Sequence, residues 1–111
     1  MAEAKTVSHG SYVDYKPTAA VAAGTVVVQG DLVGIATRAI EANQLGALAV
    51  VGVFDLAKVG ATTFAAGAKV YWDDTNNVAV TSDGGGANKF VGKAIQAAAS
   101  GAATVRVLLS Q

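Results

Sequence analysis

Hydrophobic and polar positions alternate along this chain in short runs, each broken by glycine or a cluster of turn residues. In residues 68–73, Val70 and Trp72 fall on one face of an extended segment and Lys69, Tyr71 and Asp73 on the other. That two-residue period predicts a half-buried strand. Residues 104–109 repeat it: Val105, Val107 and Leu109 share one face, Thr104, Arg106 and Leu108 the other. Gly24 opens a β-branched run, Thr25-Val26-Val27-Val28-Gln29. Gly30-Asp31 separates it from residues 32–37, a two-residue spacing that predicts a hairpin. Tyr12-Val13-Asp14-Tyr15-Lys16 has strand-forming residues. Pro17 lacks an N–H, so this strand ends there or lies at an edge. Residues 48–56 read as one long strand with Gly52 inside it, residues 78–81 as a short return, and residues 90–96 as the partner of 104–109 in a closing hairpin.

These runs give about eight strand candidates and no helix of normal length. The connections are less determined. Residues 18–23 suit a helical turn or a loose link. Residues 38–46 suit a strand with a turn at Asn43 or one helical turn. Residues 59–67 form a small-residue connection pinned by Phe64, and residues 82–88 a flexible tip. The cluster Asp73-Asp74-Thr75-Asn76-Asn77 predicts a turn whose side chains bond local amides. Gly34, Gly52 and Gly92 each follow an apolar pair inside a strand. Such glycines mark bulges, bends or close backbone approach, and three bends would let short strands curl into a closed barrel. The expectation is an all-β fold: a compact small β-barrel or β-sandwich of about eight short strands, with an extended N-terminal arm over residues 1–10 and one β domain over 11–111.

Composition narrows the function classes. Eight basic residues balance eight acidic ones, so there is no clustered cationic footprint for nucleic acid. Only 14% of residues are charged, against about 25% in ordinary domains, which suits a surface partly covered by a partner. There are no cysteines, which excludes disulfides and thiolate chemistry and is compatible with a cytoplasmic or virion protein. Residues 1–10 are polar and do not read as a signal peptide, and no run approaches the ~20 apolar residues of a membrane helix. Ala and Gly are abundant, with 13 Gly. A Val/Ala/Gly interior buries less area per residue than a Leu/Phe one, so subunit contacts are the expected supplement to stability.

No reactive constellation emerges. Gly86-Ala87-Asn88-Lys89-Phe90-Val91-Gly92-Lys93-Ala94 is the nearest approach to a P-loop. Its spacing is one residue too long, Ala94 has no hydroxyl for magnesium, and the Lys sits in an alternating strand. His9 is the sole histidine, and adjacent Ser8 cannot readily form a triad with it. Asp73, Asp74, Asn76 and Asn77 carry oxygens suited to calcium but lack the Gly and distal Glu of an EF-hand loop. Gly84-Gly85-Gly86 reads as a loop tip rather than a phosphate nest. Trp72 reads as core with Tyr71 at its rim. Arg38, Lys58, Lys89, Lys93 and Arg106 are scattered, as on solvated faces or in interface ion pairs.

Three blocks carry a family resemblance: Gly52-Val53-Phe54-Asp55-Leu56-Ala57-Lys58, Gly67-Ala68-Lys69-Val70-Tyr71-Trp72-Asp73-Asp74, and residues 90–108 with Ala99-Ser100-Gly101-Ala102-Ala103-Thr104-Val105-Arg106-Val107. In order and spacing they resemble a family of small tailed-phage capsid decoration proteins, over residues 24–109. Ala57 stands where many members have Pro, which bears on one turn. Members often carry the label of a RecA/RadA-family phage recombinase. The resemblance implies a decoration (cement) protein on the outer capsid surface of the virion, made in the host cytoplasm. It would stabilise the shell by bridging capsid subunits, with the major capsid protein and further copies of itself, a trimer favoured, as partners. It implies neither enzyme activity nor cofactor, metal, nucleic acid or membrane. The non-periodic arm ahead of a β domain is the expected capsid contact, through Thr6, Val7, Ser8, His9, Tyr12 and Tyr15. The competing readings are a small-ligand or protein-binding β-barrel module and, following the old label, an ATP-dependent recombinase.

Overall fold

A computed structural model describes residue 4 and residues 10–110. Among them the alternating runs become nine strands: β1 (Tyr12–Tyr15), β2 (Val26–Gln29), β3 (Leu32–Ala36), β4 (Gly46–Ala49), β5 (Gly52–Ala57), β6 (Lys69–Asp73), β7 (Val78–Val80), β8 (Lys89–Ala94) and β9 (Thr104–Leu109). They form two antiparallel sheets, a four-stranded one ordered β1-β4-β3-β2 and a five-stranded one ordered β5-β9-β8-β6-β7. The β2–β3 and β8–β9 hairpins are those the sequence predicts. Gly30, at φ 62°, takes the first central position of the β2–β3 turn.

The expected long strand over residues 48–56 is instead two strands in different sheets. Residues 50 and 51 interrupt it, and Gly52 restarts the chain at φ 123°, a conformation a side chain resists. Gly52 thus carries the polypeptide from one sheet to the other. Gly92 serves close approach: a Cβ there would overlap the Leu108 carbonyl. It also flanks a bulge, where Val70 pairs with Gly92 but Tyr71 with Phe90, so Val91 is the extra residue. A Cβ on Gly34 would lie 2.7 Å from that of Leu48. The interior glycines therefore serve strand contact and a sheet switch. The barrel alternative is corrected: one isolated parallel bridge, Lys58 to Ala79, brings the outer strands of the five-stranded sheet together at a point, without a ladder, and the sheets are not closed.

The main core lies between the sheets. Leu56, Val70, Trp72, Val91, Val105, Val107 and Leu109 come from the five-stranded sheet, Val33 and Ile35 from β3, and Phe64 from the pinned connection. Each fully buried Val or Leu contributes roughly 1.5–3 kcal/mol relative to exposure. Phe64 is held by a bridge to Ala98 with hydrogen bonds in both directions. A second, smaller cluster of Ala36, Ile40 and Leu48, with Val13, Tyr15, Val21 and Val27 against it, occupies the other face of the four-stranded sheet. Residues 38–45 cover it as a loop. Ile40 bridges Val21, and Asn43 turns at φ 62°, its N–H donating to the Pro17 carbonyl at 2.7 Å. The turn at Asn43 is thus as expected, though the segment is a loop held by one bridge rather than a strand.

Lys58 departs from the solvated role expected of it. It is buried, and its Nζ donates to the carbonyls of Thr62 at 2.7 Å and of Val59, Gly60 and Ala99 at 3.3 Å. Its backbone N–H donates to the Ala103 carbonyl at 3.0 Å, one step beyond the Ala57–Thr104 pair of the β5–β9 ladder. The carbonyl cage replaces the hydration that the ammonium gives up.

Candidate functional site

Two surfaces stand out for exposed apolar side chains, and each follows from strand parity. On the four-stranded sheet, Tyr12 pairs with Ala49 and Asp14 with Ala47, while Ile35 also pairs with Ala49. Tyr12, Asp14 and Ala47 therefore share the face on which Ile35 meets the main core. The five-stranded sheet packs over β3 and β2, leaving β1 and β4 as an overhang on which Tyr12 remains 54% exposed. Tyr12 and Ala47 line an open groove of about 660 Å³ together with residues of the loop after β3, Arg38, Glu41 and Leu45 among them. Leu45 is 69% exposed. Gly46 lets the loop close, since a Cβ there would press into Ile40. β1 ladders only with β4 among the described residues, so its other edge is open; Ser11 O accepts from Val50 N at 3.0 Å and fixes where the strand begins.

On the outward face of the five-stranded sheet, Val53 pairs with Leu108, Leu108 with Lys93, and Lys93 with Lys69. These four make a row across β5, β9, β8 and β6, half apolar and half cationic. Beside it Arg106 donates from Nε to Asp55 Oδ1 at 2.9 Å and from its second nitrogen to Oδ2 at 3.2 Å. That hydrogen bond holds the Asp55 carboxyl below the usual carboxylate range and raises the Arg106 guanidinium. Asp31, in the β2–β3 turn, is likewise lowered by its hydrogen bond from Lys89 at 2.8 Å and by the lysine's charge.

The residues proposed from sequence divide. Thr6, Val7, Ser8 and His9 lie outside the described residues. Tyr12 is on the groove. Tyr15, three residues on and so of opposite parity, is half-buried against the second core. Sequence reasoning missed the groove residues Arg38, Glu41 and Leu45; the available signal was an apolar Leu amid Asn43-Gln44 and Gly46. It also left Val53 and Leu108 without a role, although period-two parity already put Leu108 beside Arg106. The Asp73 carboxylate accepts from Thr75 N, Asn76 N and Asn76 Nδ2 at 2.8–3.1 Å, so it is engaged in its own turn, as expected. Its carboxyl is lowered chiefly by the Asn76 side chain. The segment from Gly86 to Lys93 runs from a 3₁₀ turn (Gly84–Gly86) into β8, not into a helix N-terminus. Its geometry is that of a strand, with Lys93 outward.

Both surfaces offer exposed apolar side chains framed by charge. A family model described as phage cement protein matches residues 7–109. The chain belongs to the phage cement protein family. That membership supports a structural role in capsid decoration and a place on the virion capsid. The matched span begins at Val7, so it takes in Val7, Ser8, His9, Tyr12 and Tyr15 together with both surfaces described above. A search of curated proteins and a search of solved structures each gave no match.

Proposed function

We propose that this protein binds the outer surface of the assembled phage head and cements it by bridging neighbouring subunits of the major capsid protein. The observation that carries the reading is the match to the phage cement family over residues 7–109. The chemistry is adhesion. A small β body over residues 11–111 touches several subunits at once, and each contact raises the effective concentration of the next. Residues 1–10 serve as an arm that adds a strand to an exposed sheet edge of the shell, with Thr6, Val7, Ser8 and His9 on the arm and Tyr12 and Tyr15 at its root. The protein assembles as a homotrimer on the head, after synthesis in the host cytoplasm. It performs no catalysis, and its low charge content suits a surface that is covered in the working state.

Purified heads lacking the protein provide the test. The full chain is expected to bind them saturably and to raise their resistance to heat, and a variant lacking residues 2–10 to bind at least tenfold more weakly. Undiminished binding of the truncated form would remove the arm from the account. No binding by either form would remove the shell.

A further inference from the structure

Among the described residues β1 ladders on one side only, and its other edge is open. The bond from Val50 N to Ser11 O sets which groups that edge offers. Antiparallel partners alternate between hydrogen-bonded and non-bonded pairs. Ser11, Val13 and Tyr15 therefore turn their backbone groups to β4, and Tyr12 and Asp14 turn theirs outward. Such an edge is a template for a further strand. On its groove side it carries Tyr12, 54% exposed, then Asp14 and, just past the strand, Lys16. Both charged residues are exposed, and neither forms an ion pair among the described residues. The sequence ahead of β1 matches this row. Glu3, Lys5 and Val7 stand at alternate positions, so all three share one face of an extended segment. Laid antiparallel with Val7 opposite Tyr12, that segment sets Lys5 opposite Asp14 and Glu3 opposite Lys16. A shift of one residue takes both charges off the shared face. A shift of two sets Lys5 against Lys16 or Glu3 against Asp14. A parallel segment meets at most one opposite charge.

We infer that residues 3–7 of one copy of this chain add an antiparallel strand to the open β1 edge of the next copy, in the register Val7–Tyr12, Lys5–Asp14 and Glu3–Lys16. The inference rests on the self-association within the proposed function. It concerns the protein free of heads, where no shell edge competes for the arm. The occupant is a second copy because a single chain leaves this edge open and both charges unpaired among the described residues. Backbone hydrogen bonds to Tyr12 and Asp14 supply the attraction common to any added strand, and the two cross-strand ion pairs select the register. The contact is heterologous, arm on edge. Each copy gives one arm and receives one, so repetition by a closing rotation makes a ring.

Four chains test this without heads: wild type, the edge variant D14K/K16E, the exchanged variant E3K/K5E/D14K/K16E, and the form lacking residues 2–10. Each is followed over a concentration series by light scattering at low salt, and circular dichroism spectra matching wild type establish that each folds. Wild type is expected to associate, the edge variant to need at least a tenfold higher concentration, and the exchanged variant to recover. The truncated form has an edge and no arm, and the edge variant an arm and no matching edge. Neither should associate alone, and together they should form a one-to-one complex. Zero-length carbodiimide coupling of mixed isotope-labelled and unlabelled wild type should join Lys5 of one copy to Asp14 of another. If wild type stays monomeric throughout, the self-association reading fails and this inference with it. If wild type associates but the variants associate equally well and no such crosslink forms, self-association stands and this assignment is wrong. A Lys5–Asp14 crosslink found only within single copies gives the edge to the chain's own arm and also overturns the assignment.

Discussion

Lys58 shows how a single residue sets the shape of the connections. Its four carbonyl partners come from residues 59, 60, 62 and 99, so one ammonium ties the loop after β5 to the loop before β9. Lys58→Met keeps the apolar stem and removes the donors, leaving carbonyls without their partner. The expected loss is about 1–3 kcal/mol in urea unfolding, and a stability equal to wild type would show that the cage is incidental. The exposed carboxylates act differently. Asp31, Asp55 and Asp73 are held below the ordinary value by Lys89, Arg106 and Asn76 respectively. A carboxyl whose pKa is lower in the folded than in the unfolded chain adds stability above the unfolded value, about 3.9. That stability is lost as pH falls through the folded value. The melting temperature should therefore hold steady from pH 7 to about 5 and fall below about 4. Asp55→Asn should flatten part of that fall, and 1 M salt should shrink the ion-pair share because these pairs are solvent-screened.

At the scale of elements, close backbone approach decides what the sequence can hold. Gly92→Ala would drive a methyl into the Leu108 carbonyl across the β8–β9 ladder. It is expected to cost at least ~3 kcal/mol or to abolish soluble expression. Gly67→Ala, a glycine with positive φ and open space around it, should cost about 1 kcal/mol through backbone strain alone. A Gly92→Ala protein as stable as Gly67→Ala would contradict the packing described here. Much of this level is legible in the sequence, because burial on one face enforces a two-residue period. Val70 and Trp72, and Val105, Val107 and Leu109, point inward as their alternation requires. Phe64 and the Asp73 turn were equally readable from residue type. The break at residues 50–51 was not: Val50, Val51 and Val53 favour strand on either side of Gly52, and only the positive φ of Gly52 reveals the switch of sheets. The fate of Lys58 was hidden too, since a lysine ending a strand gives no local sign that backbone carbonyls will close around it. The groove depends on how far one sheet extends past the other, which no local pattern encodes. Only Tyr12 of its lining was anticipated.

For the whole molecule, the two sheets enclose a core of modest side chains in which Trp72 and Phe64 are the large members. They leave apolar side chains exposed, Tyr12 on one sheet with Leu45 in the loop beside it, and Val53 and Leu108 on the other sheet. A chain so poor in charge is expected to gain stability from its contacts by mass action, so its melting temperature should rise on binding heads, an effect calorimetry of free and head-bound protein would register. The central claim is that the protein works by adhering to the capsid exterior. Its most direct test is electron cryomicroscopy of heads assembled with and without the protein. The account predicts added density on the outer surface that fits the two-sheet body and contacts more than one capsid subunit; bare exteriors in heads made with the protein, or density confined to the interior, would contradict it.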